Sequence, residues 1–278
     1  MNPFPLSHLR AIRLTGSDAR QFIQSQVTAD LRETESHEAC PAAWCDAKGR
    51  VITTLLVLIR ETSIDLVIPA SLVEPVVSRL NMFRIGREVE VQPPEAVEGL
   101  MGCDLEACQQ AGWSVLAFDR TRAIRLSGQT LGQAESMAER SDQSDYAWRQ
   151  ADDVCGWVWL TPNTSGQFLP QMLGLEALNG ISYRKGCYPG QEIIARLHYR
   201  GRLTKRLMRY QYSTEQTPEP GTQIELSSGK ATVLTGGRIE PTESGNADGC
   251  QGLAVVSGGI DHQASFDDQQ GQIVFKET

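Results

Sequence analysis

The sequence predicts an α+β fold in which a larger N-terminal part of strands and short helices precedes a small all-β part. Up to about residue 203, runs that alternate with a period of two are interspersed with runs at helical spacing. From about Lys205, short β-rich runs alternate with Gly, Pro, Ser and Asp, and no long helical pattern remains. We therefore expect residues 1–203 to form ferredoxin-like units rather than a doubly wound sheet, and residues 204–278 to form a small β-barrel.

The N-terminal elements follow from hydrophobic periodicity and turn residues. A helix is predicted after Gly16, where Asp18 and Gln21 resemble a capping box. The turn at Ala47-Lys48-Gly49 is expected to join two strands. The predicted strands are 9–14, 42–45, 51–59, 64–68, 88–91, 115–118 and 123–126, and further helices are predicted at 72–80, 131–140 and 144–152. In the C-terminal part the predicted strands are 207–212, 223–226, 231–234, 252–256 and 272–275.

Composition excludes several classes of protein. The 278 residues have an ordinary globular balance, no run as long as a transmembrane helix and no signal-peptide pattern at the start, so we expect a cytoplasmic protein. A net charge of −8 argues against general coating of nucleic acid. The seven cysteines are odd in number and scattered, so we expect neither a disulfide framework nor an intrinsic metal site.

The most informative motif is Lys185-Gly186-Cys187-Tyr188-Pro189-Gly190-Gln191-Glu192. Pro189 suits the first position of a helix, with Ile193, Ile194 and Leu197 as its apolar face. The positive end of such a helix and the Lys185 ammonium would both favour a thiolate at Cys187. The two glycines would let backbone or a ligand approach closely.

Further motifs surround this one in order along the chain: Thr15-Gly16-Ser17-Asp18-Ala19, Gln24 to Asp30, Ala42 to Arg50, Ser165 to Gln171 and Leu175 to Tyr183. Together, from about Leu9 to Arg209, they resemble the YgfZ family, folate-binding proteins linked to iron–sulfur protein maturation and tRNA modification. That family is related to the T protein of the glycine cleavage system. The resemblance implies a ring of two interleaved ferredoxin-like units and a C-terminal barrel, with tetrahydrofolate in the central opening.

The resemblance also implies roles for particular residues. Trp148 falls where the family has a folate-contacting tryptophan, although a helix tryptophan packed in the core is the simpler alternative. A second family tryptophan is replaced by Leu9, which cannot stack on a ring. The acidic pair that aminomethyltransferases of this superfamily carry is replaced by Thr53-Thr54, and threonine hydroxyls cannot act as a carboxylate base. This replacement argues against glycine-cleavage chemistry.

The candidate catalytic residues are Cys187, as a reactive thiolate, and Lys185, which would lower the pKa of the thiol or pair with a folate carboxylate. The candidate folate-binding residues are Trp148, Arg184, Gln191, Glu192 and Arg196. Arg184 and Arg196 would clamp a carboxylate. Simpler alternatives exist for all: a buried inert thiol, a surface lysine, helix-capping by Gln191 and Glu192, and solvated arginines.

These residues leave several functions open. The preferred hypothesis is a tetrahydrofolate-binding accessory factor, monomeric and without a membrane partner, that serves iron–sulfur proteins or their assembly factors and thereby tRNA modification. Its ligand is tetrahydrofolate or a polyglutamylated folate. The alternatives are a folate-dependent one-carbon (aminomethyl) transferase, a cysteine hydrolase with His198 as base, and weak direct tRNA binding through Arg196 to Arg209. Whether the protein is an enzyme is left open, with the accessory factor favoured over the transferase.

Overall fold

The described strands belong to two sheets. The computed structural model describes residues 3–92, 94, 99–108, 112–126, 142–212, 217–226, 229–238, 249–258, 264–265 and 272–278. The strands are β1 (Phe4–Pro5), β2 (Leu9–Thr15), β3 (Glu38–Cys45), β4 (Val51–Ile59), β5 (Ile64–Pro69), β6 (Glu90–Gln92), β7 (Leu100–Asp104), β8 (Ser114–Leu116), β9 (Asp119–Leu126), β10 (Lys205–Tyr212), β11 (Gln223–Leu226), β12 (Gly229–Val233), β13 (Gly237–Arg238), β14 (Cys250–Gly258), β15 (Ala264–Ser265) and β16 (Gln272–Glu277). The helices are α1 (Ala19–Gln24), α2 (Val73–Phe83), α3 (Asp142–Cys155) and α4 (Gln191–Arg200), with 3₁₀ turns at Ala70–Leu72, Leu105–Ala107 and Pro170–Leu173.

The larger sheet has nine strands in the order β1-β7-β9-β8-β3-β4-β5-β2-β6. Its neighbours are antiparallel except for β3 and β8, which are parallel. Strand β4 is buried along almost its whole length, because its continuous apolar sequence lies in the middle of the sheet. The predicted strands at 9–14, 51–59 and 64–68 are confirmed within one residue at each end. Strand β7 was not predicted, since it has only five residues and Gly102 interrupts its apolar run.

The helix predicted after Gly16 is confirmed, but its predicted capping box and the predicted start of α4 are wrong. Asp18 does not form a capping box with Gln21, because its carboxylate accepts the backbone N–H of Glu88 at 2.9 Å. Pro189 is not the first residue of a helix: α4 begins at Gln191, and Gly190 precedes it with a φ of 77°. A residue in the left-handed conformation cannot continue a helix, so Pro189 lies in the preceding turn. The helix predicted at 131–140 lies outside the described residues.

The second sheet follows the order β11-β12-β14-β10-β16-β15, with β13 beside β14. Its two outer strands do not pair with each other within the described residues, so this sheet is open and the predicted barrel is not confirmed. One face encloses a small apolar cluster around Met208 and Phe275. Leu207, Leu253 and Val255 instead belong to the main hydrophobic core, so the sheet packs against the N-terminal part. The predicted boundary after residue 203 stays a prediction.

A disulfide joins Cys103 at the end of β7 to Cys108. The composition predicted no disulfide framework, and Cys103 and Cys108 share their four-residue gap with Cys40 and Cys45, which are free. A single bond across a five-residue separation closes only a local turn, so it leaves no pattern in the number of cysteines. Cys40, Cys45, Cys155, Cys187 and Cys250 are free thiols. Among the helices of the described part, none combines the length and apolar character that crossing a membrane requires.

Candidate functional site

A cavity of about 270 Å³ lies where α3, the segment that follows it and the second sheet meet. Residues from distant parts of the chain line it, including His8, Asp152, Asp153, Trp157, Trp159 and Thr235. The first comes from the turn before β2, the carboxylates from the last turn of α3, and Thr235 from the loop after β12. This junction combines aromatic, acidic and basic groups in one concave space, as small-molecule sites do.

Two tryptophans form the aromatic wall of the cavity. Trp157 is buried and stacks on Phe118 with ring centroids 5.0 Å apart and an interplanar angle of 17°. Trp159 meets Trp157 edge-on at 5.1 Å. The indole N–H of Trp157 is buried without a hydrogen-bond partner among the described residues. A buried donor without a partner costs free energy, so a ligand that accepts this hydrogen bond would be stabilised.

Asp152 is the more firmly held of the two carboxylates. It is 3% exposed and contacts the Arg122 guanidinium at 2.9 Å, while its second oxygen accepts the indole N–H of Trp159 at 2.9 Å. Burial raises the pKa of Asp152, and the Arg122 guanidinium opposes that rise. Arg122 also pairs with Asp119 at 2.6 Å and lies over the Trp148 ring, so it fixes α3 against β9.

Asp153 is the carboxyl that titrates near neutral pH. Burial raises its pKa from 3.8 to about 7, against the lowering effect of the Thr235 hydroxyl, which donates a hydrogen bond to Asp153 at 2.7 Å. Thr235 in turn accepts the backbone N–H of Leu253 at 2.8 Å. This connection joins α3 to the second sheet. A carboxyl of this kind can hold or accept a proton at physiological pH.

His8 lies at the basic edge of the cavity. Its Nδ1 atom is 2.7 Å from Asp145, which also pairs with Arg149 at 2.6 Å. Burial favours the neutral form of Asp145, but the hydrogen bonds to His8 and Arg149 outweigh it and lower the pKa of this carboxyl. The Nε2 atom of His8 is buried without a partner among the described residues. In the neutral ring, with Nδ1–H bonded to Asp145, Nε2 is a hydrogen-bond acceptor.

Lys185 does not lie where the motif suggested. The side chain is 5% exposed, and its ammonium donates hydrogen bonds to the carbonyls of Val27 and Ala29 at 2.8 and 2.6 Å. Burial lowers the pKa of Lys185 to about 8. These hydrogen bonds anchor Lys185 to the loop after α1, and the alternative of a surface lysine is wrong. Its predicted role toward Cys187 or a folate carboxylate stays a prediction.

Cys187 is exposed, so the alternative of a buried, inert thiol is wrong. It lies four residues before the start of α4, outside the helix terminus that was expected to activate it. The close approach predicted for the glycines is found at Gly190, where an added Cβ would lie 2.3 Å from the Cα of Gly49. That approach is to the turn between β3 and β4. The motif therefore docks on this turn, and Gly186 has open space around it.

Trp148 lies on α3 but does not line the cavity. Its side chain is 1% exposed and contacts Phe4 edge-on at 5.9 Å and the Arg122 guanidinium at 4.5 Å. This is the packed helix tryptophan that the sequence allowed as the simpler alternative. Stacking of Trp148 on a folate ring stays a prediction that would require the core to open.

The other predicted binding residues lie around α4, away from the cavity lining. Arg184 and Arg196 are exposed, and Glu192 is an exposed acid in the first turn of the helix. Gln191 donates to the carbonyl of Lys185 at 3.4 Å, and no side chain caps α4. These residues and Cys187 lie on one stretch of chain, and none of them lines the cavity that contains Trp157 and Trp159.

The replaced acidic pair does not leave the cavity without carboxylates. Thr53 and Thr54 are buried in β4, where Thr54 donates to the carbonyl of Val158 at 2.5 Å. Leu9 is likewise buried, in β2. Asp152 and Asp153 line the cavity, so carboxylates are present there although Thr53 and Thr54 replace the acidic pair. The sequence carried two signals for this site: adjacent aspartates at the end of a helix, and tryptophans spaced by two directly after it.

Two other groups of polar residues lie outside the cavity. His198, the candidate base of a hydrolase, contacts Glu176 at 2.7 Å and stacks on Tyr183 at 3.8 Å; its described contacts do not include Cys187. Glu35, His37 and Glu38 bring possible metal-ligand atoms within 4.8 Å of one another, on exposed or half-buried side chains. Glu38 also pairs with Arg120, and no buried, unpaired ligand atom marks this surface as a site.

The architecture is that of a known transferase. The chain is similar to the crystal structure of the glycine cleavage system aminomethyltransferase T from Bartonella henselae, with a TM-score of 0.71 and 14% sequence identity over 100% of this chain and 85% of that one. At this identity the likeness establishes the fold. No protein-family model matches the chain. The chain therefore has the fold of aminomethyltransferase T, and the narrower YgfZ assignment stays a prediction.

Proposed function

We propose that this protein binds a reduced folate and that the ring of the folate occupies the cavity between α3 and the second sheet. The observation that carries the proposal is the pairing of an aromatic wall, Trp157 and Trp159, with two carboxylates, the buried Asp152 and the half-buried Asp153. A pterin is flat and carries several N–H donors at one edge. It therefore needs aromatic faces together with acceptors that are already fixed in place.

The unpartnered atoms of the lining support the same class of ligand. The Trp157 indole N–H and the His8 Nε2 atom have no partner among the described residues. A ligand that satisfies both carries an acceptor for the indole and, when His8 is neutral with Nδ1–H on Asp145, a donor for Nε2. A fused nitrogen heterocycle with a carbonyl group provides both. An apolar ligand would leave both of these atoms unsatisfied.

One-carbon transfer is the second candidate function. Two observations favour it: the fold is that of an aminomethyltransferase, and Asp153 has a pKa of about 7 in the cavity lining. Tetrahydrofolate, when bound, supplies the nitrogen that carries a one-carbon unit. Asp153 would hold or accept a proton there, and His8 would accept a hydrogen bond from the ligand. Formation of methylenetetrahydrofolate with release of ammonia, from an aminomethyl donor and tetrahydrofolate, tests this role.

The accessory role in iron–sulfur protein maturation, and through it in tRNA modification, rests on the family resemblance and on Cys187. The thiol is exposed on a segment that Lys185 and Gly190 fix to the body of the protein. In this proposal the folate site and the thiol are separate features, and client proteins or their assembly factors would contact the thiol. Loss of client activity in Cys187→Ser with unchanged folate affinity would support it.

Folate binding is tested by calorimetric titration of tetrahydrofolate under anaerobic conditions. Trp159→Leu removes part of the aromatic wall, and we expect roughly a tenfold loss of affinity, the value of one aromatic contact and one hydrogen bond. Trp113→Leu is the matched control, because Trp113 stacks against Arg125 outside the cavity lining. Absence of binding to the wild type, or equal losses in both variants, would contradict the proposal.

A further inference from the structure

A second, smaller cavity adjoins the first. It has a volume of about 110 Å³ and shares Gln150, Asp153 and Gln251 with the lining of the first cavity. The remaining lining comes from Val154 on α3 and from strands of the second sheet, and it includes Arg209 on β10 and Lys276 on β16. The two cavities therefore meet at Asp153, and the character of the lining changes there from aromatic and acidic to cationic.

The two cations lie directly opposite each other. Arg209 and Lys276 are cross-strand partners in the antiparallel register of β10 and β16. Like charges at directly opposite positions destabilise a sheet. Neither has a carboxylate partner among the described residues: Lys276 contacts the side-chain oxygen of Gln211 at 3.4 Å, and the Nε atom of Arg209 is buried without a hydrogen-bond partner. An anion between the two side chains would remove the repulsion and satisfy the buried donor.

The neighbouring arginine on the same strand shows the contrast. Arg206 also lies on β10, but it pairs with Glu277 at 3.7 Å and lines neither cavity. In the sequence, Arg209 ends the cationic stretch that begins at Arg196. The structure separates Arg209 from the other cations of this stretch, because alternate residues of β10 face opposite sides of the sheet and Arg209 faces α3.

We propose that Arg209 and Lys276 form a subsite for the anionic tail of the ligand whose ring occupies the first cavity. The inference rests on the proposed function and deepens it, because it assigns the carboxylates of a glutamyl tail to these two residues instead of to Arg184 and Arg196. Small-ligand sites typically span roughly 300–1,000 Å³. The first cavity, at about 270 Å³, accommodates a ring but not the whole of a folate, so the rest of the ligand needs an adjoining space.

The test compares three ligands by calorimetry: 6-methyltetrahydropterin, which has no tail, tetrahydrofolate with one glutamate, and tetrahydrofolate with three. We expect the wild type to bind both tailed ligands more tightly than the tail-free pterin. Arg209→Gln should lose about tenfold in affinity for the tailed ligands and nothing for the pterin, since one charge-assisted hydrogen bond is removed. Lys276→Gln, at a more exposed position, should lose roughly threefold.

Two further variants make the result specific. Arg206→Gln should leave all three affinities unchanged, and Arg209→Lys should keep most of the preference for a tail because it keeps the charge. Equal loss for tailed and tail-free ligands in Arg209→Gln, or no loss for any ligand, would overturn the subsite. If the three ligands bind the wild type equally, the subsite alone fails. If none of them binds, the proposed function fails with it.

Discussion

Asp153 gives the most quantitative prediction. Burial raises the pKa of this carboxyl from 3.8 to about 7. Between these two pH values, Asp153 is therefore protonated in the folded protein and ionised in the unfolded chain. The free energy of unfolding must therefore fall as the pH rises through this window. At about 1.4 kcal/mol for each pH unit, the full effect is roughly 4 kcal/mol. Roughly 3 kcal/mol of it falls between pH 5 and pH 8.5, because the titration has already begun at pH 5.

Asp153→Asn removes the titration while keeping an acceptor for the Thr235 hydroxyl. The difference in free energy of unfolding, variant minus wild type, should therefore be roughly 3 kcal/mol larger at pH 8.5 than at pH 5. Urea unfolding followed by circular dichroism at both pH values measures the change.

Asp30→Asn is the matched control. Hydrogen bonding from Arg32 lowers the pKa of Asp30 well below its usual range, so this group stays ionised in both states throughout the window. Its substitution should shift the free energy of unfolding equally at both pH values. If Asp153→Asn behaves in the same way, or loses stability as the pH rises, the burial argument for Asp153 is refuted.

Three substitutions test other parts of the structure. Gly190→Ala should destabilise the protein by more than about 2 kcal/mol, because the residue has a positive φ and no room for a Cβ. Gly186→Ala, the control, should change stability by no more than about 0.5 kcal/mol. Equal effects of the two substitutions in thermal unfolding would contradict the docking of the motif on the turn between β3 and β4. Arg122→Leu should cost about 3–5 kcal/mol by leaving Asp152 buried and unpaired, and a smaller loss in urea unfolding would mean that water reaches this pair. Cys187→Ser should change stability by less than about 0.5 kcal/mol and abolish the fast phase of thiol labelling, since Cys187 is exposed; labelling that persists at the same rate would contradict this.

Local patterns were sufficient for most of the larger sheet. The apolar run of β4 begins and ends where the sequence predicts, because a strand buried on both faces needs continuous apolar residues. The start of α4 was misjudged because Pro189 favours a first helical turn while Gly190 adopts a left-handed conformation that prevents one. Such a conformation depends on the contact with Gly49, which lies far away in sequence.

The site could be predicted only in part, since its chemistry depends on long-range contacts. Lysine side chains are mostly exposed, and only the fold brings the carbonyls of Val27 and Ala29 to the Lys185 ammonium. Asp153 accepts its hydrogen bond from Thr235, which lies 82 positions further along the chain. The glycines of the motif around Cys187 predicted a close approach of backbone, which is found at Gly190. The motif did not indicate that the aromatic cavity is built elsewhere, from residues after α3 and from the second sheet.

The most direct measurement is a crystal structure of the protein with tetrahydrofolate, grown under reducing conditions. Our account predicts density for the pterin ring in the cavity that Trp157, Trp159, Asp152 and Asp153 line. Density for the ring beside Cys187 and the exposed arginines of the 184–196 segment, with none in the cavity, would contradict the central claim.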